Sequence, residues 1–269
     1  MDSQPGQRFE RAVALERLAP GRYAAAIDPG FNGPVAPNGG VLAAVMIRAA
    51  EAELRPDRPP ARSISAHVLS APAQGAVELH VTVLRAGRRV SFVDVRMLQH
   101  ERLVAQATVI VSRAREATWT SASAGPPPAP PAEQVAPVDG SQIPGRPPIF
   151  DRLEMRPVFG PGFLVGGEEA LVGGWLAFAD DDAPLDAARL CALCDAWWPA
   201  LFSAHATLVG VPTLALTVHL RSTSPAVHGP VLARFETLTA REGHAEESGQ
   251  LWSADGRLLA ESRQLALLL

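Results

Sequence analysis

The alternation of apolar and polar residues divides the chain into helical and extended stretches. A period of three to four residues over 41–54 and over 185–204 predicts two helices, each with an apolar face. A period of two predicts strands over 63–69, 76–85, 90–99 and 103–112, and again over 171–178, 213–221, 231–239, 245–252 and 258–268. Residues 9–15 and 22–27 are predicted to form a short strand pair. One helix followed by an antiparallel run of strands is typical of an α+β layer, with the helix packed on the sheet.

A proline-rich stretch separates two such units. Residues 117–148 carry no apolar period, and this composition predicts a semi-extended linker. The chain is therefore predicted to consist of an N-terminal unit over 1–116, the linker, and a C-terminal unit over 149–269.

Composition excludes several classes of function. The net charge is −4, and the only basic cluster is formed by Arg85, Arg88 and Arg89, so nucleic acid is not an expected partner. The N-terminus has no apolar leader, and no stretch has the unbroken apolar character of a membrane-spanning helix. A protein of the cytoplasm, with no membrane partner, is expected.

The two cysteines, Cys191 and Cys194, form a C-x-x-C pair. A zinc site needs three or four ligands, and no second ligand pair follows in the sequence. Redox pairs of this spacing begin a helix after a strand, whereas these two thiols are predicted in mid-helix on an apolar face. We therefore interpret them as core residues and expect neither a metal nor a cofactor.

An acid is predicted on the apolar face of the second helix. Asp195 falls within this face, where an unpaired carboxylate costs several kcal/mol unless it is hydrogen-bonded or protonated. Acids in such places are candidates for function. The face is formed by Cys191, Cys194, Trp198, Leu201 and Phe202.

The two halves of the chain resemble each other. The segment that ends at His67, within the predicted strand 63–69, matches the segment that ends at His219, within the predicted strand 213–221, at an offset of 152 residues. The offset increases slightly along the chain. When the halves are superposed with this offset, three polar residues of the second half pair with apolar residues of the first. The pairs are Asp195 with Ala43, Thr213 with Ala61, and Gln264 with Val109. A site kept in one of two equivalent places would produce this asymmetry.

The start of the first helix offers a second candidate feature. Asn38 is a plausible N-cap, and the following Gly39 and Gly40 leave their amides open at a helix N-terminus, where negative charge is favoured. The alternative is that these residues only form the loop turn and cap the helix, without a role in binding.

Six segments in this order resemble the acyl-CoA thioesterase II (TesB-like) family. They are PNGGVLAA from residue 37, SAHVLSAP from 65, LRAGRRVS from 84, CDA from 194, PTLALTVH from 212 and DGRLLAESRQ from 255. The resemblance implies a double hotdog fold, in which each of two long helices is wrapped by an antiparallel sheet, and it implies a homodimer or higher homo-oligomer.

The resemblance also implies hydrolysis of an acyl-CoA, with a water held by Asp195, Thr213 and Gln264. Thr217 competes with Thr213 for the hydroxyl role. The sequence has no Gly-x-Ser-x-Gly elbow, so direct attack by water with Asp195 as the base is favoured over an acyl-enzyme. The Gly40 amide, with Gly39, would then face the developing oxyanion. Asn38, Met46 and Trp198 are further substrate-binding candidates, although a position in the plain core is favoured for Trp198 and Met46.

Other functions remain open at this point. A non-catalytic module on the same fold would bind acyl-CoA or an acyl carrier without releasing a thiol. A hotdog hydratase or dehydratase works with a histidine and an acid, and no histidine lies near Asp195 in the sequence. A scaffold role has only the proline-rich stretch in its favour.

Overall fold

The strands of the described chain form one antiparallel sheet whose order is mirrored about its centre. The computed structural model describes residues 7–54, 59–116, 119, 121, 125–140, 143, 145–179, 181–221 and 227–269. Within these residues twelve strands run in the order β1-β2-β4-β5-β6-β3-β9-β12-β11-β10-β8-β7. The strands of the first half are β1 (Glu16–Ala19), β2 (Arg22–Ile27), β3 (Ala61–Val68), β4 (Gly75–Ala86), β5 (Ser91–Gln99) and β6 (Arg102–Val111). Those of the second are β7 (Leu153–Phe159), β8 (Leu171–Phe178), β9 (Thr213–Leu220), β10 (Val231–Arg241), β11 (His244–Trp252) and β12 (Leu258–Leu267).

Strands β3 and β9 join the two halves, and their register reproduces the offset found in the sequence. Ser65 lies opposite Thr217, its own counterpart 152 residues later. Gln264 lies opposite Leu216 of β9, as Val109 lies opposite Ile64 of β3. The halves are thus related by a pseudo-two-fold axis through the centre of the sheet.

Two helices, one from each half, lie on the same face of the sheet and pack against each other. They are α2 (Gly39–Glu53) and α3 (Ala187–Leu193), with N-caps Asn38 and Asp186. Each N-cap side chain accepts a hydrogen bond from an amide of its own first turn. No helix in the described part of the chain is long and apolar enough to cross a membrane.

The predicted strand over 9–15 is wrong. Residues Arg8–Ala12 form a short helix, α1, and only Glu16–Ala19 pairs with β2. Phe9, Ala12 and Val13 are buried at spacings of three and four, which is the period of a helix rather than of a strand.

The single helix predicted over 185–204 is also wrong. The chain leaves the helix after Leu193 and resumes only as the single turn α4 (Leu201–Ala204). Pro199 has no amide to donate and disfavours helical geometry at the residue before it, so a continuous helix cannot pass this point. Residues 194–200 are therefore an irregular segment, and Asp195 lies at its start.

Part of the proline-rich stretch packs against the sheet, whereas Trp119 within it is 79% exposed; several of its residues lie outside the described ranges. The Trp175 indole donates to the carbonyl of Pro130 at 2.8 Å, and Ala132 and Val135 pack with Trp175 on the sheet face opposite the helices. The edge strand β7 was missed because it contains Pro157, which an edge position tolerates.

Candidate active site

Asp195 is held between the two halves of the molecule. Its carboxylate Oδ2 accepts a hydrogen bond from the Gly40 amide, at the N-terminus of α2, at 2.8 Å. Its backbone carbonyl, which lies beyond the end of α3, accepts a hydrogen bond from Asn38 Nδ2 at 2.6 Å. The N-cap of one half thus fixes the acid of the other half, and the positive end of α2 lies against a negative charge supplied by the protein itself.

The two glycines at the start of α2 permit this close approach. A Cβ at Gly40 would lie 2.7 Å from the Cβ of Asp195, and one at Gly39 would lie 3.0 Å from Thr213 Oγ1. Any side chain at Gly40 would therefore displace the acid.

Gln264 links the acid to a hydroxyl group. Its Nε2 donates to Asp195 Oδ1 at 2.7 Å and to Thr213 Oγ1 at 2.6 Å. A carboxylate only accepts hydrogen bonds, so the amide nitrogen must face Asp195. This orientation leaves Gln264 Oε1 as an acceptor and the hydroxyl proton of Thr213 as a donor.

The surroundings of Asp195 make it a stronger base than a surface carboxylate. Burial raises the pKa of Asp195 from 3.8 to about 6, against the opposing hydrogen bonds from Gly40, Gln264 and Gly39. A group of this pKa is ionised at neutral pH and still accepts a proton readily.

The three polar side chains lie at a cavity of about 440 Å³ with a largely apolar wall. Phe163 packs edge-on against Trp198 and Phe202, with ring centroids 5.5 and 5.9 Å apart, and Trp197 lies beside Trp198 at 5.3 Å. Such a wall suits an apolar group of a ligand. The aromatic side chains of the lining are Phe150, Phe163, Trp197, Trp198 and Phe202.

The structure brings most of the predicted site residues together. Asn38, Gly39, Asp195, Thr213, Gln264 and Trp198 line this cavity. Trp198 reaches it from the irregular segment and not from a helix face as predicted. Met46 is fully buried in α2 and is not part of the lining, so the structure does not bring it to the site.

Two further sequence-based expectations change in detail. The Gly40 amide, expected to face an oxyanion, donates to Asp195 instead. Counted from the N-caps, Asp195 is nine residues after Asp186, and the residue nine after Asn38 is Ile47 rather than Ala43. Ile47 and Ala43 are both buried and apolar, so the asymmetry between the halves is unchanged.

Thr217 lies away from the acid. Its hydroxyl donates to Ser65 Oγ at 3.3 Å on the pseudo-two-fold axis, whereas Thr213 is bonded to Gln264. The structure therefore connects Thr213, and not Thr217, with Asp195.

The two cysteines are buried and unbridged, and neither lines the cavity. Burial raises the pKa of Cys194 to about 12 and that of Cys191 well above its usual value. Neither thiol is therefore ionised to a nucleophile at neutral pH.

Sequence reasoning missed Glu247, a second carboxyl in the cavity lining. Its position in β11 resembles those of the surface acids that alternate along neighbouring strands. No pattern in the sequence distinguishes it from its neighbour Glu246, which lies on the other face of the sheet and pairs with Arg263.

The fold and site define a tandem hotdog protein, and comparison with known proteins gives its family. Residues 27–112 match the acyl-CoA thioesterase N-terminal domain family, and residues 122–268 match the acyl-CoA thioesterase C-terminal domain family. The chain belongs to the acyl-CoA thioesterase family and is a thioester hydrolase of the TesB-like type. The α+β double hotdog fold and the family expected from the sequence are confirmed.

Solved structures share this fold. A hotdog-fold protein from Alicyclobacillus acidocaldarius is 24% identical, with 97% of each chain covered and a TM-score of 0.88. A Thermobifida fusca protein assigned as a thioesterase II is 29% identical, covering 97% of this chain and 98% of its own, with a TM-score of 0.84. The acyl-CoA thioesterase II TesB2 of Mycobacterium marinum shares the fold at 19% identity, covering 97% of this chain and 96% of its own, with a TM-score of 0.75. No curated protein sequence matches the chain.

Proposed function

We propose that this protein hydrolyses an acyl-CoA to the free acid and CoA by direct attack of a water molecule. The observation that carries the proposal is the continuous hydrogen-bonded group Asp195–Gln264–Thr213 at the polar end of an apolar cavity. The apolar wall takes the acyl chain, and the thioester carbonyl lies beside the three polar side chains.

Asp195 is the general base in this mechanism. The water donates one hydrogen bond to the carboxylate and one to Gln264 Oε1, and it accepts one from the Thr213 hydroxyl. As the water oxygen forms a bond to the thioester carbon, its proton passes to Asp195. The C–S bond of the tetrahedral intermediate then breaks, and the proton passes from Asp195 to the leaving thiolate.

The N-terminus of α2 provides positive potential for the oxyanion. In the free protein the Gly40 amide is directed at Asp195, together with Gly39. When Asp195 gains a proton it no longer neutralises the positive potential of the α2 N-terminus, at the moment when the carbonyl oxygen becomes negative. That potential then stabilises the oxyanion across the cavity, where Gly39 is part of the lining, and the Gly40 amide need not leave Asp195.

Two features favour hydrolysis over hydration or dehydration of the acyl chain. The described lining of the cavity contains no histidine, and Asp195, one of its two acids, is paired with an amide and a hydroxyl that suit a water molecule. A non-catalytic binding module has no need for a base of raised pKa.

A free-thiol assay over acyl-CoAs of increasing chain length tests the proposal. Wild type should release CoA, and Asp195→Asn should lower kcat by about 10²–10⁴-fold, the usual contribution of general base catalysis. The same acyl groups on an acyl carrier protein identify the preferred carrier. Hydrolysis by Asp195→Asn at the wild-type rate would refute the role of the acid, and bound acyl-CoA without thiol release would support a binding module.

Two expectations from the sequence stay predictions. Light scattering in solution would measure the homodimeric or higher state. Fractionation of cells would test the cytoplasmic location.

A further inference from the structure

Glu247 is a second carboxyl at the site, and it lies beside Gln264. The two residues are directly opposite each other in the β11–β12 pair, so their side chains share the sheet face that carries the cavity. Glu247 and Asp195 are the only residues with ionisable side chains in the described lining.

The Glu247 side chain holds the segment that carries the base. Its Oε2 accepts a hydrogen bond from the Ala200 amide at 2.6 Å. Ala200 is the last residue of the irregular segment 194–200, which follows α3 and contains Asp195 and Pro199. Helical hydrogen bonds do not span this segment, so the bond to Glu247 ties its far end to the strand next to Gln264.

The neighbours of Glu247 favour its uncharged form. Thr237 lies opposite it on β10, Gln264 lies opposite it on β12, and Asp195 approaches from the irregular segment. Asp195 is the only charged group among these. The Thr237 hydroxyl oxygen is buried without a hydrogen-bond partner in the described structure, and it can accept a hydrogen bond from a neutral carboxyl.

We propose that Glu247 is a positioning residue for the hydrolytic reaction, uncharged while Asp195 is charged, and that its ionisation slows turnover. Burial raises the pKa of Glu247 to about 7, and the charge of Asp195 adds to the rise against the Ala200 hydrogen bond. Above that pH a second negative charge would enter a cavity in which an anionic transition state must form. The inference rests on the proposed function of Asp195.

The pH profile of kcat for Glu247→Gln and Glu247→Ala tests the proposal. Glutamine keeps an acceptor for Ala200 but cannot ionise, so kcat should stay near wild type below pH 7 and the decline above pH 7 should disappear. Alanine removes the acceptor, and kcat should fall at least about tenfold at every pH, equivalent to the loss of one good hydrogen bond. Glu246→Gln is the matched control, because Glu246 pairs with Arg263 on the opposite face and should leave the profile unchanged.

Thermal stability measured against pH without substrate tests the proposal for Glu247 independently of the proposed hydrolysis. Because the folded-state pKa of Glu247 is raised, its contribution to stability is full below the unfolded-state pKa and is lost as pH rises through 7. Glu247→Gln should therefore lose less thermal stability than wild type between pH 5 and pH 8, whatever the catalytic result. An alkaline decline of kcat retained in Glu247→Gln, no decline in wild type, or full activity of folded Glu247→Ala would each overturn the proposal. Full activity of Asp195→Asn would instead refute the reaction mechanism.

Discussion

Ser65 and Thr217 meet on the pseudo-two-fold axis, where the Thr217 hydroxyl donates to Ser65 Oγ at 3.3 Å. They are equivalent positions of the two halves, so the axis passes between two similar polar residues. The catalytic candidates lie off this axis and have no polar counterparts across it. In a fused pair of units, one of the two equivalent sites can be kept while the other is filled by apolar core residues. A homodimer of identical chains cannot differ in this way between its two sites.

The two threonines of β9 should differ sharply in their importance. Thr213→Val removes the hydroxyl that Gln264 holds, and kcat should fall at least about tenfold because one donor to the water is lost. Thr217→Val removes only the contact with Ser65 and should leave kcat near wild type. Steady-state kinetics of both variants measure the difference. Equal losses would show that the Thr213 hydroxyl has no special role.

Activity should rise with pH through about 6. Asp195 acts only when ionised, and its pKa is raised to about 6, so kcat/KM should be low at pH 5 and rise to a maximum near pH 7, above which the ionisation of Glu247 lowers it. Gln264→Ala removes a hydrogen bond that stabilises the carboxylate, so the acid limb of this variant should move to higher pH. An unchanged acid limb with reduced kcat would mean that Gln264 acts on the water alone.

Gly40→Ala should damage the site although α2 gains helix propensity. The new Cβ would lie 2.7 Å from the Cβ of Asp195 and 3.0 Å from the Ala192 carbonyl oxygen, so the acid must shift. We expect kcat to fall by about tenfold or more, since a small misplacement of a catalytic group is costly. Gly125→Ala is the control, because an added Cβ there meets nothing within 4 Å. Wild-type kcat in a folded Gly40→Ala variant would contradict the close packing.

The strands and the internal repeat could be predicted because both depend on local pattern. Strand β8 was predicted at its observed bounds, and the 152-residue offset is the register of β3 against β9. Local pattern failed where one residue overrides its surroundings. The apolar period continues to residue 204, whereas α3 ends at Leu193 and Pro199 lies in the irregular segment that follows; Pro157 concealed an edge strand.

The candidate site could be predicted only in part, because some of its contacts join residues that are far apart in the chain. Asp195, Thr213 and Gln264 are polar where the first half is apolar, and this difference is visible in the sequence. The partner of the Gly40 amide and the position of Glu247 depend on contacts between residues far apart in the chain. An acid that faces the cavity and one that faces away from it have the same appearance on alternating strands, so Glu247 could not be distinguished from Glu246.

Trp198 should set the longest or bulkiest acyl group that the protein accepts. It is 6% exposed in the cavity wall and packs against Phe163 and Phe150 at centroid distances of 5.5 and 6.4 Å. Trp198→Ala would enlarge the apolar end of the cavity without touching Asp195, so kcat/KM should rise for long or branched chains relative to short ones.

The large truncation costs stability, about 3–5 kcal/mol for a buried tryptophan, so Trp198→Phe provides a milder variant in the same direction. Trp119→Ala is the matched control, since Trp119 is 79% exposed and its loss should leave the chain-length profile unchanged. The profile is measured as kcat/KM over a series of acyl-CoAs with folding checked by thermal unfolding. An identical optimum in wild type, Trp198→Phe and a folded Trp198→Ala would mean that the acyl chain does not reach this wall.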